Sequence, residues 1–221
     1  ESRRFVSAAR AAASTASRAR VSDLWAPGMR RRAVTLFLAQ LTFVIAYGGT
    51  SLLFPLYFRE ARGFELATSI YLVGLGNGIA VIGYVAAAFI GEFVTSRRNT
   101  VVAWTVLGAL AFLWLVWGTT TPRESLVAFG VMAMFFYGAA AVKFAYLAEV
   151  FPTRLRATGL AVCGSLAVSF GTALGPPLIG WVKDAYGWNV AFSLLGAVPL
   201  FTAGLLYLML QPLPSGLELE D

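Results

Sequence analysis

Six times along the chain about 20 residues or more pass with almost no charge, long enough to cross the ~30 Å hydrocarbon core of a bilayer as a helix. The runs are Ala33 to Tyr57, Thr68 to Val94, Thr100 to Gly118, Ser125 to Ala148, Ala157 to Val182 and Val190 to Leu210. Short polar breaks separate them: Arg59 to Glu65, Glu92 to Asn99, Thr119 to Glu124, Glu149 to Arg156, and Lys183 to Asn189. In lipid the backbone must satisfy its own hydrogen bonds, so the runs are predicted to be helical. Strand-like alternation is absent, which disfavours a membrane β-barrel.

Composition agrees. Hydrophobic residues make up 58% of the 221 and charged residues only 13%, where soluble domains carry ~25% charge. So little charge cannot clothe a water-facing surface, and the expected fold is an all-α membrane protein of six transmembrane helices. The bundle is expected over residues 33–210, between a connecting segment, 1–32, and a tail, 211–221. There is no His and a single Cys, Cys163, in an apolar stretch. Neither a disulfide framework nor a Cys/His metal site is expected, nor any cofactor. No nucleophile–base set is visible, so an enzyme is not expected either.

The net charge of +6 could suggest nucleic acid, but its placement suits a membrane protein. An even number of spans puts both ends on one side. That side collects Arg3, Arg4, Arg10, Arg18, Arg20, Arg30, Arg31 and Arg32, together with Arg97, Arg98, Arg154 and Arg156. The other side has Arg59, Arg62, Arg123 and Lys183. By the positive-inside rule both ends are cytoplasmic, which fits a plasma (inner) membrane protein. The Arg- and Ser-rich tail up to Arg32 reads as a cytoplasmic connecting loop, with an organelle transit peptide as the other reading. Because the chain begins with Glu1, further residues are expected upstream.

Glycines concentrate in the second and fifth runs. Gly74 with Gly78, and Gly171 with Gly175, have the spacing that lets two helix backbones approach. If the spans divide three plus three, these runs correspond, as in transporter folds built from inverted repeats. Pro176 and Pro177 are expected to bend the fifth helix.

Ionisable residues within spans are functional candidates. Lys143 has two readings: its stem snorkels to the headgroups, or its cation faces a cavity and attracts an anionic solute group. Glu92 and Glu149, near Arg97, Arg98, Arg154 and Arg156, could form a charged latch across helix mouths. Each exposed pair there is worth ~1 kcal/mol or less. Gln40, Tyr47, Asn77, Trp104, Tyr137 and Ser165 are further polar residues inside spans. Asn77 stands out because an amide at that depth wants a partner on another helix or in a cavity.

The stretch Ala148-Glu149-Val150-Phe151-Pro152-Thr153-Arg154-Leu155-Arg156-Ala157-Thr158-Gly159 resembles the loop between the tenth and eleventh helices of major facilitator superfamily transporters, in particular the branches for organic acids, niacin-type compounds and other metabolites, alongside sugar porters. Glu1-Ser2-Arg3-Arg4-Phe5 resembles the end of the family's PESPR motif. Gly91-Glu92-Phe93-Val94-Thr95-Ser96-Arg97-Arg98 resembles its GxxxDRxGRR loop, two residues short and with Thr95 in place of Asp. Pro214-Ser215-Gly216-Leu217-Glu218-Leu219-Glu220-Asp221 resembles its closing PETKG segment. The resemblance implies a 3+3 inverted repeat forming the carboxy-terminal half of a 12-helix bundle, with an amino-terminal six-helix half as partner. It places the cytoplasmic charge relay on Glu149, Arg97, Arg98, Arg154 and Arg156. It further implies secondary active uptake of a small organic solute such as a carboxylate, proton-coupled, by alternating access, with lipid, solute and protons as partners. Tyr47, Asn77 and Lys143 are the candidate solute contacts. A sugar porter or a drug efflux antiporter is the alternative on the same fold, and a non-transporting scaffold or sensor is the alternative of another class.

Overall fold

The structure, a computed structural model, describes residues 20–212. The tail arginines Arg3, Arg4, Arg10 and Arg18, the stretch Glu1 to Phe5 and the stretch Pro214 to Asp221 lie outside the described residues. After a short 3-10 turn, Val21–Trp25, come α1 (Arg30–Thr50), α2 (Phe54–Arg62), α3 (Leu66–Phe93), α4 (Arg97–Trp117) and α5 (Pro122–Val150). The chain continues through α6 (Thr153–Gly159), a π-helical turn (Leu160–Leu166), α7 (Ala167–Tyr186), α8 (Trp188–Phe192), a second π-turn (Ser193–Ala197) and α9 (Val198–Leu208). Six of these helical stretches, counting Thr153–Tyr186 and Trp188–Leu208 as one each, are long and apolar enough to cross a membrane.

Polar breaks end the spans through ordinary caps. Ser96 Oγ accepts from the Asn99 N–H at 3.3 Å. Thr121 and Glu124 form a reciprocal capping box ahead of Pro122. The first run departs from its expected form. Its helix breaks after Thr50 and restarts at Phe54, with Pro55 in the first turn, where a missing N–H leaves no bond unmade. It then continues to Arg62, closed by Gly63 in a left-handed conformation with φ 69°. Most of the expected Arg59 to Glu65 break is therefore helix. The restart carries Phe54 into a cluster of rings, 4.8 Å from Phe129, 5.3 Å from Phe192 and 5.6 Å from Phe112. One short helix thereby ties three other spans together.

The packing repeats itself. The first span packs on the fifth and sixth, while the fourth packs on the second and third; the third and sixth meet each other. Exchanging first with fourth, second with fifth and third with sixth leaves this pattern unchanged, as a 3+3 repeat requires. Burial follows the same exchange: 61% of the apolar window is buried in both the first and fourth spans, but only 22% in the second and 28% in the fifth. The second and fifth spans thus stand at the flanks, with long faces that no described residue covers.

Small residues set both flank contacts. On α3 the buried positions are Ser69, Leu72, Gly76, Ala80, Gly83, Ala87 and Gly91, a stripe at helical spacing with little bulk. A methyl added at Gly83 would strike the Met134 carbonyl of α5, and one at Gly138 would lie 2.6 Å from the Gly83 oxygen. At the equivalent crossing a methyl at Gly175 would lie 2.5 Å from the Gly49 nitrogen, and one at Gly171 2.8 Å from Val44 Cβ. Gly171 and Gly175 therefore lie backbone-close to the first span. Gly74 and Gly78 have no such neighbour among the described residues: nothing lies within 4 Å of a methyl at either. They sit on the uncovered face, and Gly76 and Gly83 make the approach instead. The helix also runs on through Pro176 and Pro177, and the irregular turn of the fifth span lies earlier, at Leu160–Leu166.

Candidate functional site

Between α1 and α5 runs a seam of aromatic rings with a cation at one end. Lys143, in the arginine-rich half of α5, is 2% exposed, and its Nζ lies 3.6 Å from the centre of the Phe43 ring and 4.9 Å from that of Phe144. It does not snorkel. Phe43 contacts Phe136 at 5.6 Å, and Tyr47 stands edge-on to Phe136 at 6.0 Å and to Tyr137 at 5.6 Å. Tyr137 donates its hydroxyl to Ser51 Oγ at 3.3 Å, at the break in the first span. Tyr84 of α3 lies in the neighbourhood of both phenols. Tyr47 and Tyr84 are 40% and 38% exposed, so the seam opens onto the uncovered face.

A buried ammonium is costly unless an anion or a strong dipole meets it. A desolvated ring face returns about 2 kcal/mol, which leaves most of that cost unmet. Among the described residues no carboxylate reaches Lys143 within 4 Å. Nearby polarity is also incompletely satisfied. Gln40 is fully buried, its Oε1 accepts from the Tyr207 hydroxyl at 3.4 Å, and its Nε2 has no partner. The seam can thus offer ring faces for stacking, phenols for hydrogen bonds and a cation for an anionic group.

Of the candidate solute contacts, Tyr47 and Lys143 are brought onto this one seam. Asn77 is not. It is exposed on α3 with no partner among the described residues, two turns from Tyr84 on the same flank. Phe43, Ser51, Tyr84 and Phe136 join the seam with little in the sequence to mark them, beyond the seven-residue step from Asn77 to Tyr84.

The charged mouth is narrower than expected. Arg97, the first residue of α4, bridges Glu92 of α3 and Glu149 of α5. The other arginines act elsewhere. Arg98 donates to the Leu210 carbonyl at 2.8 Å and to Asn99 Oδ1 at 2.7 Å. Arg154 lies 3.9 Å from Asp23, and the buried Arg156 Nε has no partner. A shared role emerges instead: Arg98, Arg32 and Arg62 each donate to carbonyls at a helix end. Arg32 reaches Val150 O at 3.2 Å, and Arg62 reaches Leu115 O and Val116 O at 3.1 and 2.6 Å. Cations belong there because unpaired carbonyls leave helix carboxyl ends negative. At the opposite mouth, Glu60 accepts from Trp188 Nε1 at 3.0 Å and lies 3.9 Å from Lys183, tying the end of the first span to the fifth and sixth.

The model of the family described as Major Facilitator Superfamily matches residues 37–220. A Bacillus subtilis protein provisionally named as the niacin/nicotinamide transporter NiaP is 27% identical over 191 residues, which are 86% of this chain and 46% of that protein. A Haemophilus influenzae protein provisionally named as a metabolite transport protein is 28% identical over 169 residues, 75% of this chain and 40% of its own length. The chain spans about half the length of these curated relatives. Among solved structures, a crystal structure of tetrameric PepTSo2 superposes with a TM-score of 0.66 at 14% identity, covering 81% of this chain and 40% of that one. The inward open conformation of the xylose transporter XylE from E. coli gives 0.63 at 16% identity, covering 83% of this chain and 48% of that one. At such identities the likeness is one of fold.

Proposed function

The chain belongs to the Major Facilitator Superfamily, and from that premise we propose that it is the carboxy-terminal six-helix half of a secondary active transporter. The whole protein takes up a small organic carboxylate with protons by alternating access, in a plasma membrane, with both ends of this half cytoplasmic. A second six-helix half lies against the uncovered faces of α3 and α7 and closes the space in front of Tyr47 and Tyr84. The observation that carries the choice of solute is Lys143, an ammonium buried on aromatic rings with no acidic partner among the described residues. Either the solute carboxylate or a proton-carrying carboxylate of the other half neutralises it. The named solutes of the Bacillus relative, niacin and nicotinamide, are an aromatic carboxylate and its amide, which suits a site of rings beside a cation.

Uptake into proteoliposomes by the full-length protein tests this, using a panel of acids, sugars and cationic drugs with and without a pH gradient. A planar aromatic acid is expected to be taken up, faster with an inward proton gradient. Lys143→Met is expected to slow the acid at least about tenfold, the worth of one hydrogen bond to a charged group, and to affect a neutral amide far less. Equal transport of acid and amide by wild type and variant would refute the assignment.

A further inference from the structure

Toward the arginine-rich end from the Gly171 and Gly175 crossing, the first and fifth spans, still joined by the Cys163 hydrogen bond to the Ala33 carbonyl, flank a groove of about 280 Å³. Ala33, Val34, Phe37 and Leu38 of α1 form one wall, Val162, Cys163 and Leu166 of the π-turn form another, and Leu24 and Trp25 complete the lining. No polar atom lines it. Water gains nothing in such a space, while a hydrocarbon chain is matched to it. The groove's mouth is charged. Arg30 is exposed and precedes Ala33, Val34 and Phe37 by three, four and seven residues, which places it on the same helical face one turn nearer the end. Arg154 is held only by a 3.9 Å approach to Asp23 and keeps its side chain 53% exposed. It lines the adjoining hollow with Ala26 to Met29. Trp25, 55% exposed, supplies the amphipathic ring typical of headgroup depth.

We propose that this groove seats one acyl chain of an anionic phospholipid from the arginine-rich leaflet, with the headgroup phosphate on Arg30 and Arg154. Charge complementarity at the mouth and an apolar wall at acyl depth select a lipid of that charge over a soluble anion, which has no use for the groove. The site lies away from the aromatic seam, so it binds lipid whether or not the carboxylate assignment holds.

Native mass spectrometry of the full-length protein, taken from membranes of mixed phosphatidylglycerol and phosphatidylcholine, provides the test. One phosphatidylglycerol is expected to persist in preference to phosphatidylcholine. Arg30→Gln and Arg154→Gln should each cut that preference roughly fivefold, the effect of one basic side chain near a membrane surface. Val34→Trp and Leu38→Trp, at positions already 36% and 41% exposed, should fill the groove and lower retention of both lipids without changing the thermal midpoint. Equal retention of the two lipids would overturn the proposal. So would retention that survives both groove-filling variants, or displacement by soluble glycerol phosphate at concentrations matching the lipid.

Discussion

Gly83→Ala tests the flank contact most directly. A methyl there falls 2.6 Å from the carbonyl carbon of Met134 and 2.8 Å from its Cα, closer still to the oxygen, where carbon atoms normally rest at ~3.5–4.0 Å. No rotamer change relieves it, because the obstruction is backbone. The reverse approach, Gly138 against the Gly83 oxygen, blocks a slide. α3 and α5 must therefore part by about 1 Å, loosening the stripe from Gly76 to Ala87. Overpacking of this kind costs about 1–3 kcal/mol, and the upper end applies to a backbone clash. Replacing a helical glycine by alanine returns about 1 kcal/mol of propensity. The net loss of about 1–2 kcal/mol corresponds to a fall of about 2–8 °C in the midpoint of a cooperative unit of ~150–250 residues, the size of this half. Thermal unfolding of the full-length protein in detergent, followed by size-exclusion fluorescence, measures it. An unchanged midpoint for Gly83→Ala would refute the reasoning.

Two other side chains give graded tests. Arg97→Gln should uncouple Glu92 and Glu149, and a double-mutant cycle between Arg97→Gln and Glu149→Gln, read as thermal stability, should give a coupling of about 1 kcal/mol, near the top of the range for partly exposed pairs. Purely additive effects would remove Arg97 from its bridging role. Arg62→Ala should lower the thermal midpoint, because one nitrogen, Nη2, donates to both the Leu115 and Val116 carbonyls; Arg62→Lys, whose ammonium carries three donors, should recover part of that loss, and an unchanged midpoint for Arg62→Ala would remove Arg62 from this role.

How far residues alone reached depended on whether a feature is local. Six spans were legible because an apolar run is a property of consecutive residues, and the observed ends differ from the expected ones by a few positions. The break at Ser51 to Leu53 was missed because hydropathy stays high through it, although Gly48-Gly49 and Pro55 mark the place. Glycine spacing could not choose between Gly74 with Gly78 and Gly76 with Gly83. Both sets lie on one helix, and only the position of α5 decides which face is covered. Lys143 was legible as an anomaly of depth, but its rotation onto Phe43, the feature that separates burial from snorkelling, depends on a helix about 100 residues away. The arginines were read by proximity in sequence as one latch. In space helix ends compete for them, and among the described residues Arg97 reaches Glu92 and Glu149 while Arg154 turns to Asp23 instead.

A ribosome delivering this chain releases the first helix long before its neighbours exist. Cys163 bonds to the Ala33 carbonyl across 130 positions and Tyr207 to Gln40 across 167, so at ~5–20 residues per second α1 waits for roughly 5–20 s before its first companion emerges. Throughout that interval the Gln40 amide has only lipid or the insertion machinery beside it. The early helices cannot close into a finished unit by themselves, and a chain stopped after α5 would hold its opening helix by the aromatic seam alone, with Gln40 still waiting for Tyr207.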